Sequence, residues 1–134
     1  MVRHRFDLSL LAPSQARRSL DPFASRMSIG EFDDLRLIVS ELVTNAVRHS
    51  GQGDGAEIEM RVELHAGYVR IEVIDGGPGF DEQAATGIRG HGLDIVGRLS
   101  RLWGTDSGAP SRVWAEVALH DQVGTEPRPT RALR

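Results

Sequence analysis

The chain has 134 residues, a formal net charge of −3 and 26% charged residues. This length suits a single domain, and the charge balance does not indicate binding to nucleic acid or to a membrane surface. All 16 basic residues are arginine and cysteine is absent, which excludes disulfides, thiolate metal sites, P-loops, the lysine of common protein kinases and Schiff-base chemistry. Because no apolar stretch is long enough for a membrane span or a leader, we expect a soluble cytoplasmic protein.

The first thirty residues predict one strand and one helix. Apolar residues alternate weakly over residues 3–11, which predicts an edge strand that ends near Pro13. Ser14 is a residue type that caps helices, and the pattern after it predicts a helix to about Arg26. The apolar side of this helix is expected to consist of Ala16, Leu20, Phe23 and Ala24.

A second helix is predicted from about Glu31 to Ser50, and it carries the most informative pattern in the chain. At about 100° per residue, its apolar positions fall on one stripe, formed by Leu35, Ile38, Val39, Leu42 and Ala46. Glu41 and Asn45 project together at the edge of that stripe. A carboxylate and an amide beside a core are costly unless they have partners or a function.

The rest of the chain predicts strands and one more helix. Residues 58–64 and 69–73 alternate apolar and charged side chains, which predicts two strands joined by a hairpin at 65–67. A helix is predicted from Gly90 onwards, with Leu93, Ile95, Val96, Leu99 and Leu102 as its apolar face. The last predicted strand has four inward-facing residues, Val113, Ala115, Val117 and Leu119.

These elements predict an α/β two-layer sandwich. Its sheet is expected to be mixed but mostly antiparallel, with four or five strands and about three helices on one face. We assign residues 1–120 to this domain and expect residues 121–134, rich in proline and arginine, to form a disordered tail.

Three parts of the sequence contain residues that could bind a ligand or catalyse a reaction. They are Glu41 with Asn45, the turn at 75–79 and the loop at 87–92. Taken singly, each has an ordinary explanation as a solvated helix edge, a turn or a flexible helix entry. Together they supply the parts of a Mg-ATP site. Asp75 ends a buried strand and can accept a hydrogen bond from an exocyclic amine, while Gly77 and Gly79 let a flat heterocycle lie against the backbone. Asn45 offers a neutral oxygen to Mg²⁺, and Glu41 is a candidate base for a hydroxyl or water.

The phosphate end of this predicted site lies at the next helix. The N-terminus of the helix from Gly92 offers free backbone N–H groups to phosphates, and Arg89 in the preceding loop could reach a terminal phosphate. For His49 and His91, a structural role is a more ordinary interpretation than binding a ligand. His49 is interpreted as a structural residue near a helix end, and His49 and His91 do not have the spacing of metal ligands on one helix.

The order of these motifs resembles a known superfamily. E-x-x-x-N-A-x-x-H on a helix, D-x-G-x-G-F after a strand and G-x-G-L before a helix resemble the Bergerat ATP-binding fold of the GHKL superfamily. With its short spacing, and with no phospho-accepting histidine domain ahead of it, the chain is most similar to the stand-alone anti-sigma factor/serine-protein kinases of bacteria. The resemblance covers about residues 5–119.

The resemblance implies roles for individual residues. Glu41 matches the catalytic glutamate, Asn45 the Mg²⁺-binding asparagine and Asp75 the adenine-binding aspartate of that superfamily. The glycine box beneath the phosphates corresponds to Gly90, His91, Gly92 and Leu93. One position departs from the pattern, since Arg112, with Ser111 beside it, stands where a threonine near the adenine is common.

The leading hypothesis is therefore a Mg-ATP-dependent serine-protein kinase that also sequesters a sigma factor. The resemblance implies two protein partners, a sigma factor and a compact α/β anti-sigma antagonist, and it also implies pairing of two copies through the sheet edge and first helix. One alternative is a regulatory module that holds ATP or ADP and binds a protein without transferring phosphate. Arg112 favours this alternative, and so does the short lid, which is the segment between the two glycine motifs. A third hypothesis is a simple ATPase in which Glu41 activates water.

Overall fold

The computed structural model describes residues 1–49, 56–75, 91–106 and 110–120, and for 49, 91 and 92 it describes the backbone alone. Three α-helices and a short 3₁₀-helix accompany five strands. In chain order the elements are β1 (Val2–Asp7), α1 (Ala12–Ser19), the 3₁₀-helix (Asp21–Arg26), α2 (Ile29–His49), β2 (Glu57–His65), β3 (Tyr68–Asp75), α3 (His91–Leu99), β4 (Leu102–Asp106) and β5 (Ser111–Ala118).

The five strands form one sheet in the order β1-β2-β3-β5-β4. Each of the four pairings among the described strands is antiparallel. The helices pack against one face of this sheet, so the predicted two-layer α/β sandwich is confirmed. β1 lies at the sheet edge as predicted, although it ends at Asp7, earlier than expected.

The two faces of the sheet differ in chemistry. The helix-covered face carries the core, to which the strands contribute Ile58, Met60, Val62, Val69, Ile71, Val73, Val113, Ala115 and Val117. The opposite face, called the open face below, carries ion pairs. Arg70 contacts both Glu72 and Glu116 at 3.0 Å. Burial opposes the charge of Arg70, but the hydrogen bonds to these two carboxylates outweigh it and raise the pKa of Arg70.

Two tryptophans lie on opposite faces of the sheet. Trp103 in β4 points to the helix-covered face, where its Nε1 would lie 3.2 Å from a Cβ placed on Gly97 of α3. Trp114 in β5 lies on the open face, with the Cζ of Arg70 4.3 Å from the centroid of its ring. A Cβ on Gly104 would lie 2.8 Å from the Trp114 ring, so the glycine allows the indole to pack directly against β4.

α2 is the central helix of the second layer, since it packs against α1, α3, β3 and β5. The stripe predicted for it is confirmed, because Leu35, Ile38, Val39, Leu42 and Ala46 are all buried. The helix begins at Ile29, close to the predicted start. Its first turn is closed by a capping box in which the Ser28 backbone N–H donates to Glu31 Oε1 at 2.8 Å and the Glu31 N–H donates to Ser28 Oγ at 3.1 Å.

The predicted helix to Arg26 is wrong in its second half. The α-helix ends at Ser19, and Asp21–Arg26 forms a 3₁₀-helix. Pro22 explains the break, because it has no N–H with which to continue the α-helical hydrogen bonds. The Phe23 N–H instead bonds to the Leu20 carbonyl at 2.8 Å. Ala24 is exposed rather than part of the apolar side.

The predicted position of Leu102 is also wrong. α3 ends at Leu99, where the buried Ser100 donates its hydroxyl to the Val96 carbonyl at 2.6 Å. Leu102 begins the edge strand β4 and is 55% exposed. The hairpin between β2 and β3 is confirmed, and its turn uses Gly67 at a φ of 90°, which suits a residue without a Cβ.

The predicted tail, residues 121–134, lies outside the described residues. Among the residues that are described, no helix is both long and apolar enough to cross a bilayer.

Candidate functional site

The orientation of α2 determines where its polar residues lie. Glu31, near the beginning of α2, accepts a hydrogen bond from the backbone N–H of His120 at 2.6 Å, directly after the end of β5. α2 then packs along β5 and β3. The far end of α2 therefore lies towards the opposite end of these two strands, where Asp75 ends β3 and Ser111 begins β5.

Glu41 and Asn45 lie one helical turn apart in the second half of α2. Asn45 is only 5% exposed, and its Nδ2 has no hydrogen-bond partner among the described residues. Glu41 is half-buried. A buried amide without a partner is costly, and it retains a donor for an anionic oxygen while its carbonyl oxygen suits Mg²⁺. The side chains of Glu41 and Asn45 therefore fit the phosphate and metal end of a Mg-nucleotide site.

Asp75 and Ser111 form a pair on the same end of the sheet. They are direct partners in the β3–β5 register, and both are buried, at 8% and 3% exposure. Because side chains alternate along a strand, they share the helix-covered face with Val73 and Val113. A carboxylate and a hydroxyl are thus available side by side, which suits the polar edge of a heterocyclic base.

Arg112 lies on the other face of the sheet. It pairs with Ile74 in the register, and its Nη1 lies 3.7 Å from Glu72 Oε1 on the open face. The prediction that Arg112 replaces the threonine at the base site is therefore wrong. Because successive side chains of a strand point to opposite faces, a difference of one residue changes the face. Ser111, next to Arg112, is the residue that points to the helix-covered face.

The predicted phosphate end is described only in part. Gly77, Gly79, Arg89 and Gly90 lie outside the described residues. His91 and Gly92 belong to the first turn of α3, as predicted, and only their backbone is described. Leu93 is described, and its side chain is buried in the core at 2% exposure, so a contact of Leu93 with phosphate would use its backbone N–H.

The structure adds contacts that the sequence pattern did not indicate. Arg17 of α1 donates from Nη1 to Ser40 Oγ at 2.8 Å, one residue before Glu41. Glu31 also contacts His120 Nδ1 at 3.0 Å. The motif Ser-x-x-Glu at Ser28 identifies Glu31 as a capping residue from sequence alone, but no local signal reports its contact 89 residues away.

In the part of the chain that the structure describes, no metal site made only of protein ligands is seen. Among the described ranges, no group of three or more histidine, aspartate or glutamate side chains could hold a metal ion. Mg²⁺ is usually held by one or two protein ligands together with substrate phosphates and water. Asn45 remains the residue that would contribute such a ligand.

Comparison with known proteins identifies the family. Residues 30–128 match the profile described as "Histidine kinase-, DNA gyrase B-, and HSP90-like ATPase". The chain belongs to this ATPase family. The match spans every candidate site residue from Glu41 to Leu93, and also Ser111.

Two curated proteins resemble the chain at modest identity. The anti-sigma F factor of Clostridium acetobutylicum is 32% identical over 87 residues, covering 60% of this chain and 61% of that protein. The serine-protein kinase RsbW of Listeria monocytogenes serotype 4a is 37% identical over 71 residues, covering 51% of this chain and 45% of that protein. The chain thus spans roughly half to three-fifths of the length of these curated relatives.

Solved structures of histidine kinases share the fold. The histidine kinase domain of the blue-light activated histidine kinase EL346 from Erythrobacter litoralis superimposes with a TM-score of 0.54 at 22% identity, covering 66% of this chain and 45% of that one. The Acinetobacter baumannii histidine kinase AdeS gives a TM-score of 0.53 at 14% identity, covering 90% and 69%.

Proposed function

We propose that the chain binds Mg-ATP at the sheet end formed by Asp75, Ser111 and the second half of α2, and transfers the terminal phosphoryl group to a serine of a protein partner. One observation carries this proposal. Asn45 is buried and its amide nitrogen has no partner among the described residues. It lies one turn from the half-buried Glu41, on the helix that packs against β3 and β5, the strands that carry the buried Asp75–Ser111 pair.

At the base end, Asp75 accepts a hydrogen bond from the exocyclic amine of adenine, and the Ser111 hydroxyl supplies a second polar contact. Both side chains lie on the helix-covered face, where little water competes for these hydrogen bonds. Gly77 and Gly79, proposed from sequence alone, let the base approach the backbone.

At the phosphate end, Asn45 contributes an oxygen ligand to Mg²⁺, and its amide nitrogen can donate to a phosphate oxygen. The metal, when bound, neutralises charge on the phosphate oxygens. Arg89 and the backbone of residues 90–93 at the start of α3 steady the transferred group, a role proposed from sequence.

Glu41 is proposed as the catalytic residue. Its carboxylate lies one turn before Asn45 and is half-buried, so it can face the phosphate end while staying accessible to an incoming hydroxyl. In the proposed reaction the serine oxygen forms a bond to the γ-phosphorus of ATP, the bond from that phosphorus to the β–γ bridging oxygen breaks, and ADP leaves. Glu41 accepts the proton of the serine hydroxyl. Catalysis then comes mainly from positioning and from charge stabilisation.

The relatives' names suggest the partners. One relative is named anti-sigma F factor and the other serine-protein kinase. We therefore propose that this chain binds a sigma factor and phosphorylates a compact α/β anti-sigma antagonist, in the cytoplasm, with no direct contact to nucleic acid or membrane. Pairing of two copies of the chain is part of the same proposal.

The second candidate is a module that binds ATP or ADP and a protein partner without phosphate transfer. Arg112 and the short lid are the two sequence features in its favour. Because Arg112 points to the open face towards Glu72, it no longer argues against an active site on the covered face. The presence of both Glu41 and Asn45 favours the kinase over this module.

The test is phosphate transfer from labelled ATP to candidate partners by wild type, Glu41→Ala and the isosteric Glu41→Gln. We expect both variants to bind Mg-ATP with nearly wild-type affinity and to label no serine. Asp33→Ala, which removes an exposed carboxylate from the same helix, is the matched control and should retain transfer.

Other outcomes would favour the alternatives. A wild type that binds Mg-ATP but labels none of the partners supports the binding module. Release of inorganic phosphate without a partner supports the simple ATPase. If wild type binds no nucleotide, and Asp75→Asn changes nothing, the proposed site itself is wrong.

A further inference from the structure

The carboxylate of Glu31 contacts two separate parts of the fold. It is completely buried, at 0% exposure. Oε1 accepts the Ser28 N–H and so caps α2. Oε2 accepts the His120 backbone N–H at 2.6 Å and contacts His120 Nδ1 at 3.0 Å, which is a hydrogen bond when Nδ1 carries the proton. We refer to this set of contacts between Glu31 and His120 as the Glu31–His120 clasp.

Helix capping alone does not explain this arrangement. A capping-box glutamate needs one oxygen, and at a helix end it can remain in water. Burying an ionised carboxylate is costly unless it is paired and fully hydrogen-bonded. Here the second oxygen accepts a hydrogen bond from His120, the second residue after the end of β5. The contact therefore fixes α2 to the sheet.

The clasp lies at the opposite end of α2 from the site. From Glu31 to Asn45 the helix rises about 21 Å at 1.5 Å per residue. From Ala118 to Ser111, β5 spans a similar length, about 23 Å at 3.3 Å per residue. A helix is stiff along its axis, so an axial shift at Glu31 moves Asn45 by the same amount relative to Asp75 and Ser111.

We propose that Glu31 is a positioning residue that, through the clasp with His120, sets the axial register of α2 against β5 and thereby the placement of Glu41 and Asn45 opposite the Asp75–Ser111 pair. The role in catalysis rests on the proposed function, whereas the role in placing Asn45 does not. α2 also packs against α3 and against α1, where Arg17 donates to Ser40, and the clasp adds a hydrogen-bonded contact to the chain that follows β5.

Asn45 offers a direct readout, because it is the only asparagine in the chain. Selective ¹⁵N-asparagine labelling therefore gives one backbone and one side-chain amide group in the nucleotide-free protein. The variants are Glu31→Gln, which cannot accept at both oxygens, and His120→Ala, which removes the ring contact but keeps the backbone N–H. Ser28→Ala is the matched control, since it removes the hydroxyl of the cap and leaves the clasp intact.

We expect all three variants to lower the denaturation midpoint, and only Glu31→Gln and His120→Ala to shift the Asn45 side-chain signals. Mispositioning of reacting groups costs roughly tenfold to a hundredfold in rate, so we expect kcat for transfer to fall in that range in these two variants. KM for ATP should change much less. His120→Ala keeps the proposal testable if Glu31→Gln does not fold.

Three results would overturn the proposal. The first is unchanged Asn45 signals in both clasp variants, and the second is an equal shift of these signals in Ser28→Ala. The third applies if the wild type transfers phosphate: clasp variants with shifted Asn45 signals that transfer it at the wild-type rate. A wild type without phosphate transfer contradicts the proposed function instead. In that case the Asn45 signals still decide whether Glu31 positions the helix.

Discussion

Asp75 and Ser111 lie opposite each other in the β3–β5 register on the helix-covered face, whereas Arg112, one residue further along, points to the open face and to Glu72. This relationship assigns the polar edge of the proposed base site to a hydroxyl instead of a guanidinium. Of these two neighbouring residues of β5, Ser111 therefore has a proposed role in binding and Arg112 has none.

The first prediction compares these two neighbours. Ser111→Ala should weaken Mg-ATP binding by about two- to tenfold, because one hydrogen bond contributes about 0.5–1.5 kcal/mol net. Arg112→Ala should leave the affinity within about twofold, since its side chain lies on the far side of the sheet. Isothermal titration calorimetry measures both. A larger loss in Arg112→Ala than in Ser111→Ala would contradict the assignment.

The second prediction concerns Asp75. Asp75→Asn should weaken Mg-ATP binding by about tenfold or more, because a hydrogen bond to a charged group contributes about 1.5–3 kcal/mol and asparagine presents a donor where the carboxylate accepts. Glu72→Gln, on the same strand but on the open face, is the control. Equilibrium binding of a fluorescent ATP analogue distinguishes the two variants, and equal affinities would remove Asp75 from the site.

The third prediction tests the stripe on α2. Leu35 is fully buried, whereas Leu37 on the same helix is 43% exposed. Leu35→Ala should lower the free energy of unfolding by about 2–5 kcal/mol, and Leu37→Ala by about 0.5 kcal/mol or less. Urea denaturation followed by circular dichroism measures both. Similar losses in the two variants would mean that α2 does not bury the predicted face.

Much of this arrangement was predictable because it depends on local periodicity. The buried positions of α2 recur with the helical period, and Ile58, Met60 and Val62 alternate with charged residues as a half-buried strand requires. These patterns placed Glu41 and Asn45 beside the core and Asp75 at a strand end.

Other features depend on contacts between distant residues and had no local signal. Leu102 continues the three-residue spacing of Val96 and Leu99, so a helix was expected. β4 has only Trp103 and Thr105 facing inward, too few for a visible alternation. The face occupied by Arg112 depends on its register with β3, and the Glu31–His120 clasp joins residues 89 positions apart.

The fourth prediction concerns Gly104. In Gly104→Ala the new Cβ would lie 2.8 Å from the Trp114 ring, so the indole must move away from β4, which disturbs its contact with Arg70. Such overpacking costs about 1–3 kcal/mol. Thermal unfolding monitored by circular dichroism tests this. The double variant Gly104→Ala/Trp114→Val should recover part of the loss, and an additive loss in the double variant would contradict a steric cause.

The fifth prediction concerns acid stability. The hydrogen bond from Arg61 lowers the pKa of Glu59 below its ordinary value of 4.5, against the opposing effect of burial. The stabilisation from this pair is therefore fully present above about pH 4.5. It is lost as the pH falls through the lowered pKa of the folded state.

In Arg61→Gln the free energy of unfolding should fall slightly near pH 6, by about 0.2–1 kcal/mol for a partly exposed pair. The difference from wild type should disappear towards pH 3. Urea denaturation across this pH range measures the effect, and a difference that stays constant with pH would exclude ionisation of Glu59 as its cause.

The opposite placement of Trp103 and Trp114 gives the protein one tryptophan on each face of the sheet. Trp103 packs beneath α3, so its emission reports on events in the helical layer. Trp114 lies against Arg70 on the open face, so its emission reports on binding at that surface. Two single-tryptophan variants, Trp114→Phe and Trp103→Phe, would therefore report separately on the helical layer and on the open face, without any added label.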